Sequence, residues 1–179
     1  MTAKNLETDR LILRQWKDSD LPLFYKLNSN PKTMEYFPSI LTKDQSNEYA
    51  FKIQKELKEK PYGIWAVELK DNSRFIGCIG LHYQDFKAHF TPCIEIGWRL
   101  DLSFWGKGYA TEGAKCALDY AHNALKIKEV VAFTAKCNFR SIRVMEKLKM
   151  TYDKKDDFLH PKVPKESPLS LHVLYRSKS

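Results

Sequence analysis

One segment of the chain combines the residue types that a phosphate-binding site needs. Residues 95–113, EIGWRLDLSFWGKGYATEG, are typical of a strand, a short loop with glycines at positions 106 and 108, and the start of a helix. The first turn of a helix presents backbone amides without helical partners and a partial positive charge, so it attracts anions. Glycine brings the backbone close to a phosphate because it has no side chain. We therefore predict a pyrophosphate site in this loop, with an ordinary glycine turn before a helix as the alternative.

Basic residues are concentrated directly after this loop. Residues 115–155 contain ten Lys or Arg against four Asp or Glu, and they supply six of the eight net positive charges of the chain. Charged runs are most often solvated surface. Beside a phosphate site, however, this excess suits a ligand with several phosphates. The loop matches neither GxxxxGK[ST] nor GxGxxG, so two common nucleotide-binding motifs are absent.

Length and composition exclude several classes of protein. The 179 residues suit a single domain, 1–179, and the 43% hydrophobic and 13% aromatic contents supply a core and argue against disorder. The polar start MTAKNLETDR lacks the apolar region of a signal peptide, and no apolar run reaches membrane-spanning length. We therefore expect neither a secreted, a fibrous nor a membrane protein.

The cysteines indicate a reducing compartment and no metal. Cys78, Cys93, Cys116 and Cys137 form no CxxC pair and show none of the close spacing of a zinc site or a disulfide scaffold. No His, Cys and Asp cluster has ligand spacing either. We expect reduced thiols, a cytoplasmic protein and no bound metal.

The elements that would position the predicted phosphate site follow from the hydrophobic periodicity. Apolar runs predict strands over residues 11–16, 64–69, 75–81, 93–100, 130–135 and 169–175. Helical spacing and caps predict helices after Asp18, from Thr42 to about Lys60, over 109–125 and after Asn138. Because helices and strands do not alternate strictly, a mixed sheet with helices on both faces is favoured over a doubly wound parallel sheet.

Two local features sharpen these predictions. Thr42 and Gln45 read as a capping box, in which each side chain binds a backbone amide at the start of the helix. In the strand 93–100, Glu95 and Arg99 lie on one face with Gly97, opposite a face of larger apolar residues. A glycine inside a strand often marks a bulge or the close approach of another backbone, so we expect one of these at Gly97.

Three ordered motifs, which together span nearly the whole chain, resemble a known family. The run EIGWRLDLSFWGKGYATEGA resembles the acetyl-coenzyme A signature of the GNAT acetyltransferases, in particular the branch of ribosomal-protein N-terminal acetyltransferases. NFRSIRVMEKLKM, residues 138–150, is similar to the helix "N..S......KLGM" of that branch. The tail DFLHPKVPKESPLSLHVLY, residues 157–175, and the opening TDRLILR are similar to its last and first strands.

The chain departs from the family pattern at two positions. Ser103 stands where the superfamily has Gln or Arg, which removes a polar or basic side chain from the phosphate site but leaves the backbone amides. Lys149 stands where relatives have glycine after the last helix. A lysine there must adopt the left-handed conformation, or the helix must end differently.

The resemblance implies a fold with a splayed strand pair and a cofactor between the strands. The strand 95–100 would separate from the strand 130–135, and acetyl-coenzyme A would lie in the gap. Asn138 would contact the pantetheine arm from the opposite wall. Backbone groups on the first wall would align the pantetheine at Trp98, Arg99 and Leu100, and hold the pyrophosphate at Trp105, Gly106, Lys107, Gly108, Tyr109 and Ala110.

Glu95 is the candidate general base of the reaction that this family performs. It lies on the implied cofactor strand, where it or a water held by it could remove the proton of the attacking amine. The alternative is a structural carboxylate paired with Arg99 on the same face of the strand. Backbone amides of the splayed strand could stabilise the oxyanion.

Ser141 is the candidate proton donor to the leaving thiolate. Many family members use a tyrosine seven residues after the asparagine, but Met145 occupies that position and cannot donate a proton. Ser141 lies three residues after Asn138 and matches the serine of the ribosomal-protein branch. The alternative is a serine that caps the first turn of its helix.

Other residues offer weaker candidates for the acceptor side. His172 alternates within the last strand and is expected to be packed, whereas His160 could line the acceptor site from a loop. Tyr25, Tyr36 and Phe37 fall where the family places acceptor-binding helices, and core packing is the expected role for them.

The sequence therefore predicts an acetyl-coenzyme A-dependent N-acetyltransferase that acts by direct transfer in a ternary complex. The alternatives are a non-catalytic coenzyme A-binding regulatory domain, and a basic RNA-binding module, which lacks a recognisable RNA-binding motif. The acceptor amine stays open among a protein N-terminus, a polyamine, an antibiotic and a small metabolite, because fold and cofactor motif do not fix the acceptor pocket. We expect no membrane partner, no nucleic acid partner, and a monomer or a homodimer.

Overall fold

The computed structural model describes residues 2–179, which form a nine-stranded sheet and four α-helices. The strands are β1 (Leu6–Glu7), β2 (Leu11–Arg14), β3 (Ile64–Leu69), β4 (Phe75–Gln84), β5 (Cys93–Leu100), β6 (Glu129–Ala135), β7 (Thr151–Tyr152), β8 (Phe158–Leu159) and β9 (Leu171–Lys178). The helices are α1 (Leu21–Asn28), α2 (Lys43–Glu59), α3 (Tyr109–Asp119) and α4 (Phe139–Lys147). The order of elements agrees with the prediction, and β1, β7 and β8 are short additions.

The sheet is antiparallel except at one junction. The strand order is β1-β2-β3-β4-β5-β6-β9-β7, with β8 also paired to β9. β5 and β6 are parallel, and they pair only at Glu95 and Val131. Beyond Glu95 the two strands separate, so the splayed pair that the family resemblance implies is confirmed. The separation leaves one edge of β5 without a strand partner in the middle of the sheet.

Helices cover both faces of the sheet, as predicted. On one face, Phe24 of α1 and Ile53 of α2 pack with Ala66 and other inward residues of the central strands. On the opposite face, α3 packs with Val67 and its neighbours in a second core cluster. Gly113 lets α3 lie close to the sheet, because a side chain there would begin 2.6 Å from Ile79. None of the helices in residues 2–179 has the length and apolar character needed to cross a membrane.

The helix ends follow the local sequence signals. The hydroxyl of Thr42 accepts a hydrogen bond from the Gln45 amide at 3.2 Å, and the Gln45 side chain accepts one from the Thr42 amide at 2.9 Å, so the capping box is confirmed. Lys149 has φ of 57°, so it adopts the left-handed conformation expected of the usual glycine position. α3 continues as a π-helical turn, Tyr120–Ala124.

The expectation for Gly97 is wrong. Gly97 pairs in regular register with Gly80, and a side chain at Gly97 would meet no atom within 4 Å. The bulge lies instead between Val67 and Glu68 of β3, opposite Gly77, whose φ is 141°. The face of the sheet is therefore open at Gly97.

Candidate active site

A cleft of about 670 Å³ opens where β5 and β6 separate. Its walls come from β5, the loop before α3, β6, α4 and the segment after β8. The cleft brings together nearly all of the predicted site residues, which are Glu95, Trp98, Arg99, Leu100, Trp105, Gly106, Gly108, Tyr109, Ala110, Asn138 and Ser141. Lys107 is the exception among them, because its ammonium group lies 5.4 Å from the ring centroid of Phe104 and outside the lining of the cleft.

The glycine loop, residues 105–110, has the conformation that its two glycines permit. Gly106 and Gly108 have φ of 76° and 84°, in the left-handed region that side chains disfavour. Gly108 immediately precedes α3, so the unpaired amides of the first helical turn open into the cleft. The neighbouring Ser103 amide is already bound by the Asp101 side chain at 2.9 Å. The candidate anion site is therefore limited to the loop and the helix start, without the Ser103 amide.

Arg10 supports this loop, although no motif in the sequence points to this role. Its Nη1 donates to the Lys107 carbonyl at 3.1 Å, and its Nε donates to the Glu112 carboxylate at 2.7 Å. The guanidinium also lies 4.4 Å from the ring centroid of Tyr109. Arg10, directly before β2, thus connects the start of that strand with both the glycine loop and α3. No pattern in a single sequence connects positions that are about a hundred residues apart.

Asn138 and Ser141 form the opposite wall. The Asn138 side chain caps α4 by accepting from the Ser141 amide at 3.2 Å, and its Nδ2 donates to Thr134 Oγ1 at 2.9 Å. The Ser141 hydroxyl accepts a hydrogen bond from Trp98 Nε1 at 3.2 Å. Asn138 therefore fixes the start of α4, and α4 places the Ser141 hydroxyl across the cleft from β5.

Glu95 has an environment that suits proton transfer near neutral pH. Loss of hydration raises the pKa of its carboxyl to about 7, although a hydrogen bond from Gln84 and the positive charge of Lys162 oppose this shift. Gln84 Nε2 donates to Glu95 Oε2 at 2.5 Å. His82 stands opposite Glu95 in the β4–β5 register, and its Nδ1 lies 3.4 Å from the Glu56 carboxylate. The carboxyl of Glu95 thus has one neutral donor and an open side toward the cleft.

The structural alternative for Glu95, an ion pair with Arg99, is wrong. Arg99 Nη1 donates to the Asn28 side chain at 2.5 Å, and the guanidinium lies 4.1 Å from the ring centroid of Phe37. The two residues are four positions apart on one strand, which places their Cα atoms about 13 Å from each other. Arg99 therefore reaches away from Glu95, toward α1 and the segment after it.

His160 and His172 both line the cleft, with ring centroids 4.8 Å apart. Both pack against Phe133 and Phe158. Burial lowers the pKa of His160 to about 4, with a further contribution from His172, and burial also lowers the pKa of His172. His172 is packed, as expected, and both rings are neutral near pH 7.

The segment after α1 contributes to the cleft more than expected. Tyr36 and Phe37 line it, and Phe37 is 36% exposed, so core packing is wrong for these two residues. Tyr25 does not line the cleft. Three basic residues of α4 also line the cleft, although in the sequence they stand out only as part of the net positive charge: Arg140, Arg143 and Lys147. Arg140 lies 4.7 Å from the ring centroid of Trp105, beside the glycine loop.

The comparison with protein families decides between the classes that this geometry leaves open. Residues 10–151 match the family model described as "Acetyltransferase (GNAT) domain". The chain belongs to the GNAT acetyltransferases. It is therefore an acetyl-coenzyme A-dependent acetyltransferase, and the proposal of an RNA-binding module is superseded.

Relatives and solved structures agree with this family. The chain is 36% identical over 158 residues to the Bacillus subtilis protein YkkB, covering 86% of this chain and 90% of the relative. It is 32% identical to the Bacillus subtilis N-acetyltransferase YoaA, covering 83% and 82%. A GNAT acetyltransferase from Bacillus anthracis has the same fold, with a TM-score of 0.80 at 23% identity over 98% of both chains. The ribosomal L7/L12 acetyltransferase RimL, solved with coenzyme A, has a TM-score of 0.79 at 13% identity over 98% of both chains.

The cleft of this chain fits the cosubstrate that the family uses. At Gly97 within β5 and at Gly106 in the glycine loop, a side chain would meet no atom within 4 Å, so the backbone is open to a ligand at both places. Basic residues of α4 lie along the same cleft. A phosphate-rich ligand with a narrow arm matches this combination of an open strand edge, a helix start and positive charge. Among residues 2–179, no group of three His, Cys, Asp or Glu is placed to hold a metal ion.

Proposed function

We propose that residues 1–179 form a single, cytoplasmic acetyltransferase domain that moves an acetyl group to a primary amine by direct transfer in a ternary complex. The observation that carries the proposal is the position of Glu95 and Ser141 on opposite walls of one cleft, with the glycine loop at its end. Bound acetyl-coenzyme A supplies the activated acetyl group as a thioester. The chain must then orient it, accept a proton from the amine and donate one to the thiolate.

Orientation comes from the backbone of β5 and the glycine loop. The residues Trp98, Arg99 and Leu100 follow the only pairing of β5 with β6, so their backbone groups face a gap instead of a strand. They would align the pantetheine, while residues 105–110 would hold the pyrophosphate. Asn138 lines the far wall and would limit the width of the channel for the pantetheine arm.

Glu95 serves as the base in this proposal. An amine must lose a proton to attack and to form an amide, and a carboxylate with a pKa of about 7 exchanges protons readily at physiological pH. Gln84 holds one carboxylate oxygen and leaves the other free for the amine or for a bridging water. Amides of the splayed part of β5 would stabilise the oxyanion, because they are already oriented toward the gap.

Ser141 serves as the acid. Its Oγ receives the Trp98 indole hydrogen, so its own hydrogen is free to point into the cleft. Donation of that hydrogen would neutralise the departing thiolate, while a proton from water restores the Ser141 hydroxyl. A structural serine cap is not needed here, because Asn138 already caps α4 with its own side chain.

The experiment is acceptor-dependent release of free thiol from acetyl-coenzyme A. Purified protein is incubated with acetyl-coenzyme A and a panel of peptide N-termini, polyamines, amino acids and amine antibiotics, with an acceptor-free sample as control. Thiol release and an acetylated amine product in the same sample support the proposal. Tight binding of coenzyme A with no product from any amine class would favour the non-catalytic regulatory domain instead.

A further inference from the structure

A second cavity, of about 510 Å³, adjoins the acceptor end of the cleft. We call it the side pocket. Phe37, Pro38, Tyr49, Arg99 and Lys162 line both the side pocket and the cleft, so the two spaces share a wall. The rest of the side pocket is mainly apolar, with Met34 and Leu41 among its residues. A molecule that reaches Glu95 from the acceptor side can extend into this space.

Arg99 is held rigidly in the shared wall, and its charge has no acidic partner. The guanidinium lies against the rings of Phe37 and Tyr49, with centroids at 4.1 and 5.9 Å, and Nη1 is fixed by neutral Asn28. Its Nε is buried and has no hydrogen-bond acceptor. No carboxylate within residues 2–179 lies in ion-pair distance of Arg99. A half-buried guanidinium without a counter-charge, beside an open cavity, is typical of a site that an anion completes.

Lys162 adds a second positive charge to the same wall. It is exposed on the segment between β8 and β9, it forms no ion pair within the described part of the chain, and its charge reaches the carboxyl of Glu95. Among the described residues that line the cleft or the side pocket, Glu95 is the single acidic one. The cleft and the side pocket therefore offer a polyamine basic side chains and the carboxyl of Glu95, but no further acidic group to bind its second ammonium.

We propose that the acceptor is a small amine that also carries an anionic group, a carboxylate or a phosphate, which Arg99 and Lys162 bind while the amine lies at Glu95. This inference rests on the proposed function. Because Glu95 and Arg99 lie four positions apart on β5, about 13 Å between Cα atoms, the amine and the anion are separated by several bonds. The apolar lining of the side pocket suits a hydrocarbon or aromatic body between or beside them.

The test compares acceptors of equal length and different charge. Acetyl transfer is measured for 6-aminohexanoate, 6-aminohexyl phosphate, hexylamine and 1,6-diaminohexane. We expect kcat/KM of the wild type to be at least about tenfold higher for one of the two anionic acceptors than for the diamine, because a charge-assisted contact replaces a repulsive one. Comparing 6-aminohexanoate with 6-aminohexyl phosphate shows whether the site prefers a carboxylate or a phosphate.

Variants then test which residues produce the preference for an anionic acceptor. For each variant, kcat/KM for the anionic acceptor is divided by kcat/KM for hexylamine, and this ratio is compared with that of the wild type. Changes in folding or in acetyl-coenzyme A binding affect both values equally and therefore cancel. Arg99→Gln should lower this ratio by about tenfold or more, mainly through KM, and Lys162→Gln should lower it by a smaller factor. Lys165→Gln is the matched control, because Lys165 is exposed on the same segment and lines neither cavity, and it should leave the ratio unchanged.

Two results would overturn the inference while leaving the proposed function intact. One is equal or better transfer to hexylamine, the diamine or neutral peptide N-termini. The other is an anion preference that survives in both Arg99→Gln and Lys162→Gln. If no amine of any charge is acetylated, the proposed function fails, and the inference fails with it.

Discussion

Trp98 Nε1 donates a hydrogen bond of 3.2 Å to Ser141 Oγ, and this contact connects the two walls of the cleft. Trp98 belongs to β5 and Ser141 to the first turn of α4, so the hydroxyl is positioned by both. The hydroxyl can accept from the indole and still donate its own hydrogen. The contact therefore orients Ser141 as a donor toward the gap where the thiol end of the cosubstrate is proposed to lie.

Replacing Ser141 should affect turnover more than binding. In Ser141→Ala the proposed proton donor is lost, so we expect kcat to fall by about a hundredfold, the usual order for a general acid, with acetyl-coenzyme A affinity nearly unchanged. Trp98→Phe keeps an aromatic side chain but replaces the indole with a smaller ring that lacks the orienting N–H, so it should lower kcat by a smaller factor. Steady-state kinetics and calorimetric binding of acetyl-coenzyme A separate the two effects. A wild-type rate in Ser141→Ala would refute its role.

Glu95 should control the acid limb of the pH profile. Its pKa is raised to about 7, so the carboxyl gains a proton and stops acting as a base as the pH falls through that value, and kcat/KM should fall with it. The difference between wild type and Glu95→Gln should be largest just above pH 7. The difference in kcat/KM between the two proteins should become smaller below pH 7, where wild-type Glu95 is itself protonated. It should also become smaller at high pH, where the amine is already deprotonated in solution. Profiles of equal shape would exclude Glu95 as the base.

A Gln84 variant tests whether Glu95 acts as the base, because a purely structural role of Glu95 predicts no shift of the pH profile. The Gln84 amide stabilises the charged carboxylate, so its hydrogen bond lowers the pKa of Glu95. Removing that donor in Gln84→Met should raise the pKa of Glu95 and move the acid limb of kcat/KM to higher pH. A lower rate without a shift of the limb would show that Gln84 only supports packing.

Local signals were sufficient to predict most of the fold. The strands β3 and β5 have the predicted bounds, because alternation along a strand depends only on the residues within it. The Thr42 capping box and the left-handed Lys149 likewise depend on a few neighbours in sequence. The separation of β5 from β6 was different. The point where the two strands separate could be predicted only from the family resemblance, since neither strand's own sequence indicates where their pairing ends.

The site was predicted where it coincides with a motif and missed where it depends on distant contacts. Glu95, Ser141 and the glycine loop lie in the two motif segments. Arg10 and Gln84 lie outside these segments. Each contacts a residue of the motif segments that is brought close to it by folding. Gly97 shows the reverse error, since a glycine within a strand predicted a bulge or a close backbone, whereas Gly97 pairs in regular register and the space for a side chain there is open.

Gly108 tests the anion site at the start of α3. Gly108→Glu places a carboxylate where the pyrophosphate is proposed to lie, so acetyl-coenzyme A binding should weaken by at least about tenfold, or 1.4 kcal/mol. Because Gly108 has φ of 84°, any side chain strains the backbone, and Gly108→Ala is the matched control for that strain. Calorimetry should show a much larger loss for the glutamate than for the alanine. Equal losses would mean that backbone strain, and no phosphate contact, is responsible.

The adjacent rings of His160 and His172 should make the fold sensitive to mild acid. The pKa of His160 is lowered to about 4 and that of His172 is lowered as well, chiefly by burial, so both stay neutral in the folded state when the unfolded chain binds protons. Their contribution is therefore complete above the unfolded histidine pKa of about 6.5 and is lost as the pH falls toward 4.

His160→Phe isolates this effect, because phenylalanine cannot be protonated and suits the surrounding rings of Phe86, Phe133 and Phe158. Urea unfolding at pH 8, 6.5 and 5 measures the free energy of unfolding of both proteins. We expect the wild type to lose more stability than the variant between pH 6.5 and 5, and the two curves to run parallel above pH 7. Parallel curves over the whole range would show that His160 binds its proton equally well in the folded and unfolded chains.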